Sequence, residues 1–322
     1  MRCRYSNPIV TLALVASFTA TVLNAGAQRG SSPSSSDMQQ ATELLRKGDT
    51  DGAMAAVRRE LVANPTSTRA ANMLDTLGAG ADARQVFQRI IDGAADPADK
   101  AAAQRAMAMS YAFDGDCANT TKYEEMVIAY WVTREQAEPQ NAFYQQGEMA
   151  NEAARACLDA GSLDDAERLY RRGTELGLKE PGNQTHPRSL WEYRLEHALG
   201  RIAARRGNRA EAQTHVTAAR HTLDSDPAMA KDQERFFPYL VGYVALYTND
   251  LPTAEKELTR AVQLQGNQSD PFMHALLGMT YEKQEQAAKA KEEYERSYAL
   301  ALAHNPPSAF SRPFARKKLG VE

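Results

Sequence analysis

The sequence is short of the residues and patterns that carry catalysis or hold metals. Its 322 residues include six histidines, His186, His197, His215, His221, His274 and His304, and no two stand at the i, i+4 spacing that sets a ligand pair on one helical face. His215 and His221, the nearest two, are six residues apart and diverge around a helix. No metal site and no cofactor is therefore expected. A glycine-rich phosphate loop is missing, as is a strand–Ser–helix elbow, and acidic pairs such as Asp164-Asp165 and Glu292-Glu293 read as solvated helix surface. No catalytic residue is assigned on these grounds, and an enzyme is not expected. Basic excess is missing too: 38 Lys and Arg face 41 Asp and Glu, which offers nucleic acid no counter-charge.

Long apolar runs are nearly absent. The one that occurs, Pro8 to Leu23, follows Arg2 and Arg4 and ends in Ala25-Gly26-Ala27, the order of a secretory signal peptide. It carries Thr11, Ser17, Thr19 and Thr21 and falls short of the ~20 apolar residues of a membrane span, so cleavage after Ala27 is expected rather than an uncleaved anchor. A lipoprotein anchor would need a Cys just after that point, where none stands. Loss of residues 1–27 leaves 36 basic residues against 41 acidic ones, a mildly acidic exported chain, periplasmic or secreted. Residues 28–37, rich in Ser, Pro and Gly, are expected to form a flexible linker.

Beyond Asp37 there is almost no strand pattern. Ala, Glu, Gln, Arg and Leu dominate, with apolar residues at three- and four-residue spacing, so the chain is read as all-α. Gly48 serves as a ruler. Small Ala41 lies seven before it, Leu44 four before, Ala53 five after and Val57 nine after. The same places hold small and large residues around Gly78, Gly115, Gly161, Gly207, Asn249 and Glu285, although Thr120 replaces the expected Ala after Gly115. Small residues at matched places let two helices approach closely, and Gly or Asn at the turn accepts the left-handed backbone that ends a helix. A single hairpin leaves its apolar face in water, so stacked neighbours must complete the core.

This pattern resembles the tetratricopeptide repeat family, most clearly in LLGMTYEKQEQAAKAKEEYERSYALAL, Leu276 to Leu302. The resemblance implies a right-handed superhelical solenoid of about seven helix-turn-helix units over residues 38–305. Residues 306–322 are expected to add a capping helix over the last unit's open face. Turn-to-turn intervals of 30, 37, 46, 46, 42 and 36 depart from the family's unit of about 34 residues, and Asn183 to Pro187 reads as an inserted loop.

Cys117 and Cys157 are an even number of cysteines in an oxidising compartment, and both fall near the turn-side end of adjacent helices. A disulfide is expected; two packed free thiols are the alternative. The family's first helices line a concave groove for extended peptides or proteins. Carried onto this chain, that lining includes Asn72, Arg105, Asn151, Arg155, His197, Arg201, Tyr239, Tyr243 and Met279, with Arg194, Phe236 and Phe272 nearby. A basic middle and an aromatic C-terminal part would suit an extended partner with acidic groups followed by apolar ones. The family's peptide-carboxylate clamp does not carry over, because Met38, Thr42, Met109 and Ala275 stand at several of its Lys and Asn places. The expectation is an exported scaffold or assembly factor that binds a protein or peptide. An envelope-polymer hydrolase would instead show a closed polar pocket, and a self-assembling subunit a large apolar patch.

Overall fold

Seven helical hairpins follow one another, and each turns at a residue with positive φ: Gly48, Gly78, Gly115, Gly161, Gly207, Asn249 and Glu285. These are the residues that the repeat ruler singles out. The computed structural model describes residues 35–182 and 186–321; the expected leader, residues 28–34 of the expected linker, and Asn183, Gln184 and Thr185 lie outside them. The helix pairs are α1 (Ser36–Arg46) with α2 (Thr50–Ala63), α3 (Thr68–Leu77) with α4 (Gly80–Gly93), and α5 (Pro97–Phe113) with α6 (Cys117–Val132). Then come α7 (Pro139–Ala160) with α8 (Leu163–Gly177) and α9 (Arg188–Arg205) with α10 (Arg209–Ser225). A short α11 (Pro227–Gln233) and a 3-10 turn lead into α12 (Phe237–Tyr247) with α13 (Leu251–Gln263), followed by α14 (Pro271–Lys283) with α15 (Ala287–Leu300). No strand occurs among the described residues. The fold is an all-α helical repeat solenoid.

Four of the seven turns share a local code. In these, the left-handed residue is followed by an Asp or Asn whose side chain accepts the amide N–H three residues on: Asp49 from Gly52, Asp116 from Asn119, Asn208 from Glu211 and Asp250 from Thr253. Each hairpin then closes on small side chains. Ala41 and Ala53, Ala71 and Ala83, and Ala154 and Ala166 are all fully buried where their helices cross. The third unit keeps this register with Thr120, whose hydroxyl donates to the Ala108 carbonyl at 3.3 Å instead of being left bare. Closest approach comes in the fourth unit, where an added Cβ on Gly173 would stand 2.9 Å from the Gly147 carbonyl oxygen. The large side chains fill the space between hairpins, as fully buried Phe87, Trp191 and Tyr243 do.

Two features differ from the expectation or refine it. The first helix begins at Ser36, with Ser35 as its cap, so the expected linker ends two residues early. Helix α16 (Pro306–Leu319) does lie on α14 and α15, but it also crosses to α5 and α7. There Ala309 joins Met109, Ala112, Phe113 and Ala156 in one apolar cluster. Arg312 donates to the Thr76 carbonyl at 3.1 Å and the Tyr298 carbonyl at 2.8 Å, and Arg316 to the Leu77 carbonyl at 3.4 Å. Just before the helix, His304 sets Nε2 2.9 Å from buried Asp75 and packs its ring against Phe87 and Phe113. The C-terminal segment thus ties the last repeat to the second, third and fourth across the concave side. Cys117, opening α6, and Cys157, in the last turn of α7, form a disulfide with Cα atoms 4.6 Å apart.

Candidate functional site

The expected lining residues divide between two hollows and the core. Asn151, Arg155, Arg194, His197, Arg201, Tyr239 and Phe272 converge, with Phe236, on one cavity of about 200 Å³. Arg105 lies beside it, in a second hollow between α5, α7 and residues 303–306. Asn72, Tyr243 and Met279 stand apart: Asn72 is on α3, and Tyr243 and Met279 belong to the core of the last two repeats. Helix α16 packs across the first helices α5, α7 and α14, and the pocket lies between α7, α9, α12 and α14 with Pro306 and Pro307 at its edge.

The floor of this space is cationic. Arg201 is 5% exposed. Its Nε donates to the His197 carbonyl at 3.3 Å, Nη1 to the Tyr239 hydroxyl at 3.0 Å and Nη2 to the Tyr170 hydroxyl at 3.2 Å. Among the described residues no carboxylate pairs with it. The tyrosines give no compensating charge, since burial pushes Tyr239 up to about 12 and keeps it neutral. Arg155 lies with its guanidinium carbon 4.1 Å from the Phe272 ring centre and donates Nε to Asp159 at 2.8 Å. Burial pulls the Arg155 pKa down, but Asp159, Tyr239 and Tyr170 together hold it above the usual arginine range. Its Nη2 is buried and has no hydrogen-bond partner.

The carboxylates near the cavity are already committed. Glu152 accepts Arg105 Nε at 2.9 Å, and Glu148 pairs with Arg194. Asp270 caps α14 by accepting the amides of Phe272 at 2.8 Å and Met273 at 3.2 Å. Burial raises the Asp270 pKa despite the opposing charge of Arg155. Behind them Glu124, 1% exposed, has its pKa pushed well above its ordinary value by burial and then by Glu152. The pocket therefore keeps two guanidinium groups and no uncommitted anion.

The same pocket also offers acceptors. Burial, and then the charge of Arg201, hold His197 well below its usual range, so its imidazole is neutral at pH 7. Its Nε2 has no partner, nor does the Gln233 side-chain oxygen or the Tyr193 hydroxyl, all three buried. Asn151 also lines the cavity, but its side-chain oxygen is turned toward Gly173, where an added Cβ would stand 2.4 Å away. Tyr239 meets the His197 ring at 5.1 Å and Phe272 edge-on at 6.0 Å, completing an aromatic side. Gln233, Tyr193 and Asp270 were not readable as site residues. Gln233 belongs to α11, an addition outside the repeat ruler, and Tyr193 precedes the groove-lining places; the long interval of 42 residues at that repeat is the one signal that pointed there.

No protein-family model matches the chain, and no curated protein matches it. Among solved structures it is similar to the crystal structure of yeast Tom70, at 11% identity over 82% of this chain and 69% of that one, with a TM-score of 0.33. At that level the likeness does not reach side chains.

Proposed function

We propose that this chain is an exported helical-repeat binding protein, not an enzyme, and that its internal pocket receives the acidic group of what it binds. One observation carries this reading: Arg201 is buried with no carboxylate partner. Burying an unpaired guanidinium costs several kcal/mol, and an anion seated beside it offsets that cost. The unpartnered Nη2 of Arg155 supplies a second donor, and two guanidinium groups suit the paired oxygens of a carboxylate. The leader-like residues 1–27 support export. A repeat scaffold leaves wide outer surfaces on which a protein or peptide partner can also dock.

Neutral His197 with an unpartnered Nε2 favours a second reading, a general base in a hydrolase. It is weaker because Glu148, Glu152 and Asp270, the carboxylates that would act with it, already have partners. The test is thermal unfolding of residues 28–322 in millimolar acetate, phenylacetate and succinate, beside an Arg201→Met variant. Ligand present at about a hundred times its Kd stabilises the fold by about 2.7 kcal/mol. Acid-dependent stabilisation of the parent and none of the variant is the expected result. Equal responses, or none, would sink the proposal.

A further inference from the structure

Resting on that reading, we infer that the pocket's ligand is a small, free organic acid with an apolar body and a neutral hydrogen-bond donor near its carboxylate, as in an aryl-substituted hydroxy acid. Three observations set these demands. The cation floor of Arg155 and Arg201 fixes the acid group. In the same pocket, Nε2 of His197 and the side-chain oxygen of Gln233 are buried acceptors with nothing to accept. The other imidazole nitrogen is engaged with the Phe236 backbone, so Nε2 of the neutral ring is a bare lone pair. Each buried, unmatched acceptor is unfavourable, and one ligand O–H or N–H removes the cost of one of them. A plain carboxylic acid leaves both unmet.

The donor must be uncharged. An ammonium group beside the carboxylate would stand close to two guanidinium groups, whose like charge repels it. The remaining wall, Tyr239 and Phe272, presents ring faces and edges that suit a flat apolar substituent. Size limits the ligand as well. The cavity holds about 200 Å³, below the ~300–1,000 Å³ of pockets that take drug-sized molecules. Pro306 and Pro307 stand at its edge, where α16 begins and packs on α5 and α7. A small free acid fits whole, whereas a longer chain leaving on that side would meet the start of α16.

Three compounds of one skeleton test this: 3-phenyllactate, which carries the hydroxyl, 3-phenylpropionate, which lacks it, and phenylalanine, which replaces it with ammonium. Titration calorimetry on the full chain is expected to show 3-phenyllactate binding at least about tenfold tighter than either of the others. Gln233→Leu should reduce that preference to about threefold or less while 3-phenylpropionate still binds; Arg201→Met should remove both acids. A further arm places the same phenyllactyl acid at the end of a decapeptide, which should bind more weakly than the free acid. Equal affinity for 3-phenyllactate and 3-phenylpropionate, or an unchanged preference in Gln233→Leu, overturns the inference and leaves the anion pocket standing. Tighter binding of the peptide-borne acid overturns the claim of a free small ligand alone. If no acid of any kind binds, the anion pocket itself fails.

Discussion

Opening the Cys117–Cys157 bridge should weaken the fold by an amount that the chain itself sets. The two cysteines are 40 residues apart, and closing a loop of that length restricts the unfolded chain by about 4 kcal/mol at 25 °C. Two things bring the observed value below that. The bridged segment contains α6 and most of α7, whose sequences keep some helix when unfolded, so the open loop is less free than a random chain. The array also unfolds in parts, and the loss falls first on the seam between the third and fourth hairpins. The expected change is therefore about 2–4 kcal/mol, or a fall in Tm of roughly 3–7 °C for a chain of this size. Urea and thermal unfolding followed by circular dichroism, with and without reductant, measure it on one sequence with no substitution. Thiol titration of the unfolded protein before reduction should find none free. Two free thiols at that stage, or midpoints that reductant leaves in place, would refute the argument.

Three further outcomes follow from particular contacts. Gly177→Ala should destabilise by about 1–3 kcal/mol, since the new Cβ would stand 2.2 Å from the fully buried Trp191 ring. Gly93→Ala, whose added Cβ meets nothing within 4 Å, is the control that should show no loss in the same melt. His274 lies 2.6 Å from Glu293 and 3.1 Å from the Gln268 carbonyl; burial opposes its protonation, but these partners raise its pKa above 6.5. Its stabilising contribution is full below the unfolded value of about 6.5 and is lost as pH rises through the raised folded one. His197 acts in the opposite sense, since its depressed pKa makes the fold lose stability as pH falls below 6.5. The difference between the stability–pH curves of the parent and of His274→Gln isolates the first effect, and parallel curves would contradict it. Ala309→Arg, at a position 2% exposed against Met109 and Phe113, should cost about 3 kcal/mol or more and unseat α16. Limited proteolysis should then cut within 303–319 while the repeats stay helical, and an unchanged digestion pattern would argue against the seating described.

What was legible in the sequence was what recurs. A left-handed turn needs Gly or Asn, a close crossing needs Ala or Gly, and both needs repeat with the hairpin, so even Glu285 was found by its neighbours rather than by its own type. The pocket was half legible. Arg155, Arg201, His197 and Tyr239 share a face because they hold equivalent places in adjacent first helices, which is again a property of the repeat. What the pattern could not carry was the path of α16. Contacts such as Arg312 with Thr76 join residues far apart in the chain and arise from the curvature of the whole array, a sum of small rotations that no local motif records. The same limit hid which arginines have partners. Arg105 and Arg194 were read together with Arg201 as a basic zone, yet each meets a glutamate on α7, and Arg201 alone among the three does not.

The late position of α16 in the chain also sets an order of events during synthesis. Hairpins that need only their neighbours can stack as they leave the ribosome, from the first repeat onward. The cavity cannot, because Pro306 and Pro307 at its edge follow all seven hairpins in the chain. A nascent chain that has not yet reached α16 has the arginines and the aromatic wall in place but lacks that edge. The capacity to hold a ligand is therefore finished later than the repeats that supply most of its lining.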